Sequence, residues 1–152
     1  KKKMEEYKIT VHSEAEMAHV AQNIESEKFE NMVIGLNGEL GSGKTVFTKA
    51  FAHAMGIDEI TSPTFNIIKE YQGELDLYHM DVYRLEEGPT NIGITEYFDK
   101  GGVCIIEWAD MIKQDLPEER LDIYIKIINE NTRLLILKPY GEKYIQVCED
   151  II

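Results

Sequence analysis

"GELGSGKT", Gly38 to Thr45, decides how this chain is read. Gly38, Gly43, Lys44 and Thr45 satisfy the pattern GxxxxGK[ST], a phosphate cradle when a strand precedes it and a helix follows. Both flanks are present. "NMVIGLNG" is a short apolar run of the kind that forms a buried strand. "KTVFTKAFAHAM" then repeats Val46, Phe47, Ala50, Phe51 and Ala54 at helical spacing until Gly56 can end the helix. With ordinary residue usage, chance places such a match in roughly one chain in two hundred of this length, and the flanks lower that further. Glycines let the backbone turn its N–H groups inward and the helix N-terminus adds positive partial charge. Lys44 reaches the terminal phosphates, and the Thr45 hydroxyl can ligate Mg²⁺.

Working outward, "YKITV" from Tyr7 alternates as a strand, and Ser13 with Glu16 makes a capping box ahead of Met17, Val20, Ala21 and Ile24 at helical spacing. Downstream, "FNIIKEYQGELDLYHMDVYRL" reads as a hairpin about Gln72-Gly73-Glu74. "GGVCIIEW" is another buried strand, and "LDIYIKIINENTRLLILKPY" a second hairpin about Asn129 to Asn131. "LEEGPTN", Leu85 to Asn91, has the composition of a loop. The expected fold is α/β: a three-layer P-loop NTPase-like arrangement with a mixed, partly parallel central sheet and added antiparallel hairpins. At 152 residues the chain fits a single domain. Residues 1–6 and 140–152 are expected as tails or edge elements.

Composition narrows the partners. Sixteen basic against 28 acidic residues give a formal charge of −12, which opposes tight direct binding to DNA or to a bare RNA backbone. No apolar run approaches the ~20 residues that span a bilayer, and "KKKMEEYK" offers no secretory signal, so a cytoplasmic protein is expected. Cys104 and Cys148 lack CxxC spacing and read as reduced structural thiols.

The loop alone names neither base nor reaction. The guanine-reading NKxD motif is absent, and a DxxG match at Asp99 to Gly102 precedes its strand instead of ending one. A small-molecule kinase usually covers its phosphates with several arginines from a lid, whereas only Arg84, Arg120 and Arg133 are present. Three further clusters carry weight together. "TSPTF", Thr61 to Phe65, is placed to fold over a terminal phosphate, with Thr64 offering a hydroxyl; alone it reads better as a loop entering a strand. In "LYHMDVYRL", His79, Asp81 and Tyr83 are spaced by two and share a strand face, where Asp81 suits Mg²⁺ and a solvated strand edge is the plainer alternative. "VCIIEW" ends an apolar strand on Glu107, able to hold Mg²⁺ or polarise water, or simply a solvated strand end. Beside it stands Trp108, the only tryptophan.

In this order, "GELGSGKT", "SPTF", "HMDVYRL" and "IIEW" resemble the TsaE family, also called YjeE, of bacterial P-loop ATPases. The likeness runs from about Tyr7 to Lys138. It implies ATP and Mg²⁺ as cofactors. The loop Gly38, Glu39, Leu40, Gly41, Ser42, Gly43, Lys44, Thr45 and Val46, with Thr64 and Trp108, would contact ATP. Thr45, Asp81 and Glu107 would serve the metal, and Lys44, Asp81 and Glu107 the chemistry. It also implies work with the TsaD and TsaB proteins in threonylcarbamoyladenosine modification of tRNA, with tRNA reached through the complex. Ala109-Asp110 departs from the proline and acid that often follow the tryptophan, and Thr95 replaces a common second acid. A small-molecule kinase and a non-catalytic, nucleotide-gated binding module remain the alternatives.

Overall fold

The computed structural model describes residues 5–61, 68–83 and 93–152. "SPTF", including Thr64, together with Arg84 and "LEEGPTN", lies outside the described residues.

The buried apolar runs become the middle of a seven-stranded sheet of order β1-β7-β6-β2-β5-β4-β3. Its strands are β1 (Tyr7–Val11), β2 (Val33–Gly38), β3 (Ile68–Tyr71), β4 (Leu77–Asp81), β5 (Val103–Glu107), β6 (Arg120–Ile127) and β7 (Arg133–Tyr140). β6, β2, β5 and β4 run parallel, which explains why β2 and β5 read as continuous apolar segments instead of alternating: both faces are covered. Antiparallel pairing of β3 with β4, β6 with β7, and β7 with β1 completes the sheet. Both expected hairpins are there.

Among the described residues three α-helices share one face: α1 (Glu14–Glu25), α2 (Lys44–Ala54) and α3 (Glu142–Ile151). Met17, Ile24, Phe47, Phe51 and Val147 bury against Ile34, Leu36, Ile105 and Ile123 of the sheet. The other face is covered, among the described residues, by two 3-10 segments, Ile94–Asp99 and Ala109–Asp115. There Ile94 and Ile112 pack on Val33, Met80 and Ile106. Among the described residues this third layer is thinner than the α-helical one.

The capping box forms. Ser13 Oγ accepts from Glu16 N at 3.1 Å, and Glu16 Oε1 accepts from His12 N at 2.7 Å, one residue before the cap.

One expectation is corrected. Residues 140–152, expected as a tail or edge element, pack into the body of the fold: Tyr140 closes β7, and α3 buries Tyr144, Val147 and Cys148. The spacing of Tyr144, Val147, Cys148 and Ile151 is that of a helix face. Tyr144 Oη also accepts the Val33 N–H at 2.9 Å, tying α3 to the start of β2. Cys104 and Cys148 are buried free thiols, and burial pushes both up to a pKa of about 12. No described helix is long and apolar enough to cross a membrane.

Candidate functional site

Parallel strands carry their loops out at one sheet end, and the crevice beyond their C-termini is where such sheets bind ligands. β2 ends at Gly38, while Asp81 and Glu107 end β4 and β5 as register partners, with Glu107 also opposite Leu36 of β2. The sequence-remote clusters therefore meet because three neighbouring parallel strands stop together.

From β2 the chain turns through Glu39 to Gly43 into α2. Gly38 is required by close approach: a Cβ there would lie 2.5 Å from Ser42 Oγ and 2.8 Å from Ile125 O. Gly43, the residue before α2, has φ +116°, a conformation that L side chains rarely adopt. The first N–H groups of α2 have no acceptor within the helix and face a ligand's position by geometry.

The resulting cavity has a volume of about 500 Å³ and is lined by Leu40 to Val46, Asp81, Glu107 and Trp108. Lys44 is buried, and its ammonium donates to Gly38 O at 2.6 Å and Glu39 O at 3.3 Å. It also sits 4.2 Å from the centre of the Trp108 ring. Burial lowers the Lys44 pKa, with Glu107 and Asp81 pulling the other way. A buried cation held by neutral carbonyls and a ring is prepared for an anion.

Trp108 holds a left-handed backbone, φ 64° and ψ 37°, uncommon for a bulky residue. Its surroundings enforce it. Trp108 N donates to Leu36 O at 2.8 Å; after it, Asp110 N donates to Asn37 Oδ1 at 2.8 Å, and Tyr124 Oη donates to Asp110 Oδ1 at 2.9 Å. The ring packs against Tyr83 at 4.9 Å between centroids, and Tyr83 N donates to Asp81 Oδ1 at 3.1 Å. Asp110, one of the departures from the resemblance, therefore helps hold the tryptophan.

Asp81 is half-buried on an interior strand, which removes the reading of β4 as a solvated edge. Glu107 is 8% exposed and no solvated strand end. With the Thr45 hydroxyl they give oxygen donors on one cavity. Among the described residues no cluster of three or more His, Cys, Asp and Glu side chains could cage a metal. This is the donor set Mg²⁺ accepts, since it commonly takes one or two carboxylates and completes its shell with phosphate and water.

The far wall was missed by sequence reasoning. Ser13, Glu14 and Met17 from the cap and start of α1, Glu130 and Asn131 from the β6–β7 turn, and Arg133 at the start of β7 line the same cavity. Arg133 reaches the loop itself, with Nε donating to Ser42 O at 3.1 Å and Nη2 to Gly41 O at 3.3 Å.

The model of the family described as "Threonylcarbamoyl adenosine biosynthesis protein TsaE" matches residues 11–135. The chain belongs to the TsaE family. Curated TsaE relatives named "tRNA threonylcarbamoyladenosine biosynthesis protein TsaE" include that of Bacillus subtilis, 50% identical over 121 residues, which are 78% of this chain and 77% of that one. The Treponema pallidum protein is 44% identical over 107 residues, 68% of this chain and 79% of that one. Among solved structures, Bacillus subtilis YdiB superposes with a TM-score of 0.87 at 39% identity, covering 99% of this chain and 97% of that one. The TsaE match spans the phosphate loop, Asp81, Glu107, Trp108 and Arg133, so every described part of the cavity lies within it.

Proposed function

We propose that this protein is a Mg²⁺-dependent ATPase that acts with the TsaD and TsaB proteins in threonylcarbamoyladenosine modification of tRNA. The observation that carries this reading is the convergence of Lys44, Thr45, Asp81, Glu107 and Trp108 on one cavity at the C-terminal end of the parallel strands. The family and the names of its relatives supply the pathway.

Lys44 and the loop N–H groups hold the β- and γ-phosphates, the ammonium leaving Gly38 O to do so. Thr45, Glu107 and Asp81 hold the metal, which when bound neutralises charge on the transferring phosphoryl group. Glu107 also orients the attacking water. Cationic help is sparse: Arg133, the arginine on the cavity wall among the described residues, spends its donors on backbone carbonyls. Hydrolysis by the isolated protein is therefore slow, and the complex accelerates it, as groups supplied in trans complete other phosphoryl-transfer sites. The formal charge of −12 agrees with reaching tRNA through partners.

The test is ATP hydrolysis measured with and without TsaB and TsaD, paired with a pull-down in ATP and in ADP. Partner-stimulated release of phosphate is expected. Transfer of the γ-phosphate to a metabolite would make the protein a kinase. Modification that survives E107Q while hydrolysis is lost would make it a nucleotide-gated module.

A further inference from the structure

Behind the cavity wall the Glu107 carboxylate meets a side chain that the phosphate loop does not account for. His79 lies in the middle of β4, 2% exposed, with Nε2 2.8 Å from Glu107 Oε2. Its register partner is Ile105, while Asp81 is opposite Glu107, so the imidazole sits one step deeper in the sheet on the same face as both acids. That face is the one under α1 and α2, to whose core Ile105 belongs.

The other ring nitrogen decides the geometry. Nδ1 is buried and finds no hydrogen-bond partner among the described residues. A proton on Nδ1 would leave a buried donor unsatisfied and would turn the Nε2 lone pair toward a carboxylate oxygen. A proton on Nε2 instead makes a charge-assisted hydrogen bond and buries only a bare lone pair at Nδ1. Nε2–H therefore donates to Oε2, which commits that oxygen and leaves Oε1 to serve the cavity.

We infer that His79 is a positioning residue, whose Nε2–H fixes the Glu107 carboxylate in the orientation that nucleotide hydrolysis requires. The inference rests on the reading of Glu107 as the acid of the ATP site. Among the described residues Glu107 is the hydrogen-bond partner that accounts for a polar group here, since an apolar side chain on an interior strand would cost no desolvation.

The test compares wild type with H79F, which keeps a ring and removes the donor, and H79Q, whose amide nitrogen reaches the place of Nε2. H79L replaces H79F if that variant does not fold, as judged by thermal melting. Two readouts are taken. The first is NMR on the nucleotide-free protein: ring ¹⁵N shifts of His79, and the carboxyl ¹³C shift of Glu107 assigned by its loss in E107Q. The expected result is an Nε2-protonated ring, with a Glu107 signal displaced in H79F and restored in H79Q. The second is steady-state ATP hydrolysis with Mg²⁺, TsaB and TsaD. Removing the donor lowers kcat about 10- to 100-fold, as losing outer partners of metal-site ligands does, with KM little changed and with most of the rate regained in H79Q. A ring protonated at Nδ1, a Glu107 signal indifferent to H79F, or an H79Q as impaired as H79F would overturn the inference. A wild-type protein that gives the expected spectra but never hydrolyses ATP would overturn the ATPase reading and leave the positioning role standing.

Discussion

The Lys44 ammonium lies 4.2 Å from the centre of the Trp108 ring while donating to the carbonyl of Gly38 at 2.6 Å. The two residues come from opposite ends of the motif series, and their contact makes the sole tryptophan a sensor of the phosphate lysine. Phosphate entering the loop draws Lys44 away, so ATP changes the Trp108 emission of wild type. K44M removes that response and weakens ATP binding about 10- to 100-fold, the equivalent of ~1.5–3 kcal/mol for a hydrogen bond to a charged group. Fluorescence titration checks both.

Without nucleotide, K44M should be the more stable protein. Burial holds the Lys44 pKa below the ordinary lysine value, so the charged form is disfavoured in the folded state. By linkage that penalty is complete below the folded value and fades as pH rises from there toward the unfolded one. Thermal melts at pH 7 should place K44M above wild type when nucleotide-free and below it in saturating ATP. A nucleotide-free K44M that melts lower would refute the argument.

The phosphate loop and its flanking strand and helix were legible because one short stretch contains the whole unit, from Val33 to Ala54. The capping box at Ser13 and both hairpins were legible for the same reason, since turn chemistry is local. What escaped was made by pairing distant segments. β7 comes back antiparallel beside β6 and brings Arg133 to the loop carbonyls of Gly41 and Ser42, a relationship that no spacing encodes. His79 was visible as a face-mate of Asp81, but not that its ring points at Glu107, because the "LYHM" of β4 is buried on both faces and shows no clean alternation. α3 was missed although its apolar spacing is helical, because it starts directly after β7 with only Gly141 between them.

Arg133 staples the loop to the β6–β7 turn. Besides Ser42 O and Gly41 O, its Nη1 donates to Asn129 O at 2.9 Å and Thr132 O at 3.1 Å. Only a planar fork serves so many carbonyls, so R133K should not substitute for it. R133A and R133K should raise amide exchange at Gly41 and Ser42 and lower ATP affinity by roughly tenfold, about 1.4 kcal/mol, with a smaller effect on global stability. Hydrogen exchange with calorimetric titration reads this directly, and unchanged exchange in the loop would refute the staple.

Gly38 tolerates no side chain, because the Ile125 carbonyl facing it at 2.8 Å is backbone and cannot rotate aside. G38A should destabilise by ~1–3 kcal/mol, the usual range for overpacking, and should abolish ATP binding by displacing Ser42. Urea denaturation and the Trp108 titration measure the two effects on one sample.

Away from the cavity, at the start of β6, lies a buried ion pair whose removal separates folding from nucleotide chemistry. Arg120 Nε donates to Asp122 Oδ1 at 2.9 Å; the acid is fully buried and its Oδ2 has no partner among the described residues. Burial holds the Asp122 pKa above the usual carboxylate value despite the attraction of Arg120. With a raised folded pKa, the contribution of Asp122 to stability is complete below the unfolded value and is lost as pH rises through the folded one. R120M leaves the acid unpaired and raises its folded pKa further, so the loss of stability should be about 3–5 kcal/mol at pH 7 and distinctly smaller at pH 5. Equal losses at the two pH values in urea denaturation would show that packing of Arg120 over the Tyr140 ring, 4.7 Å away, and not charge, sets its contribution.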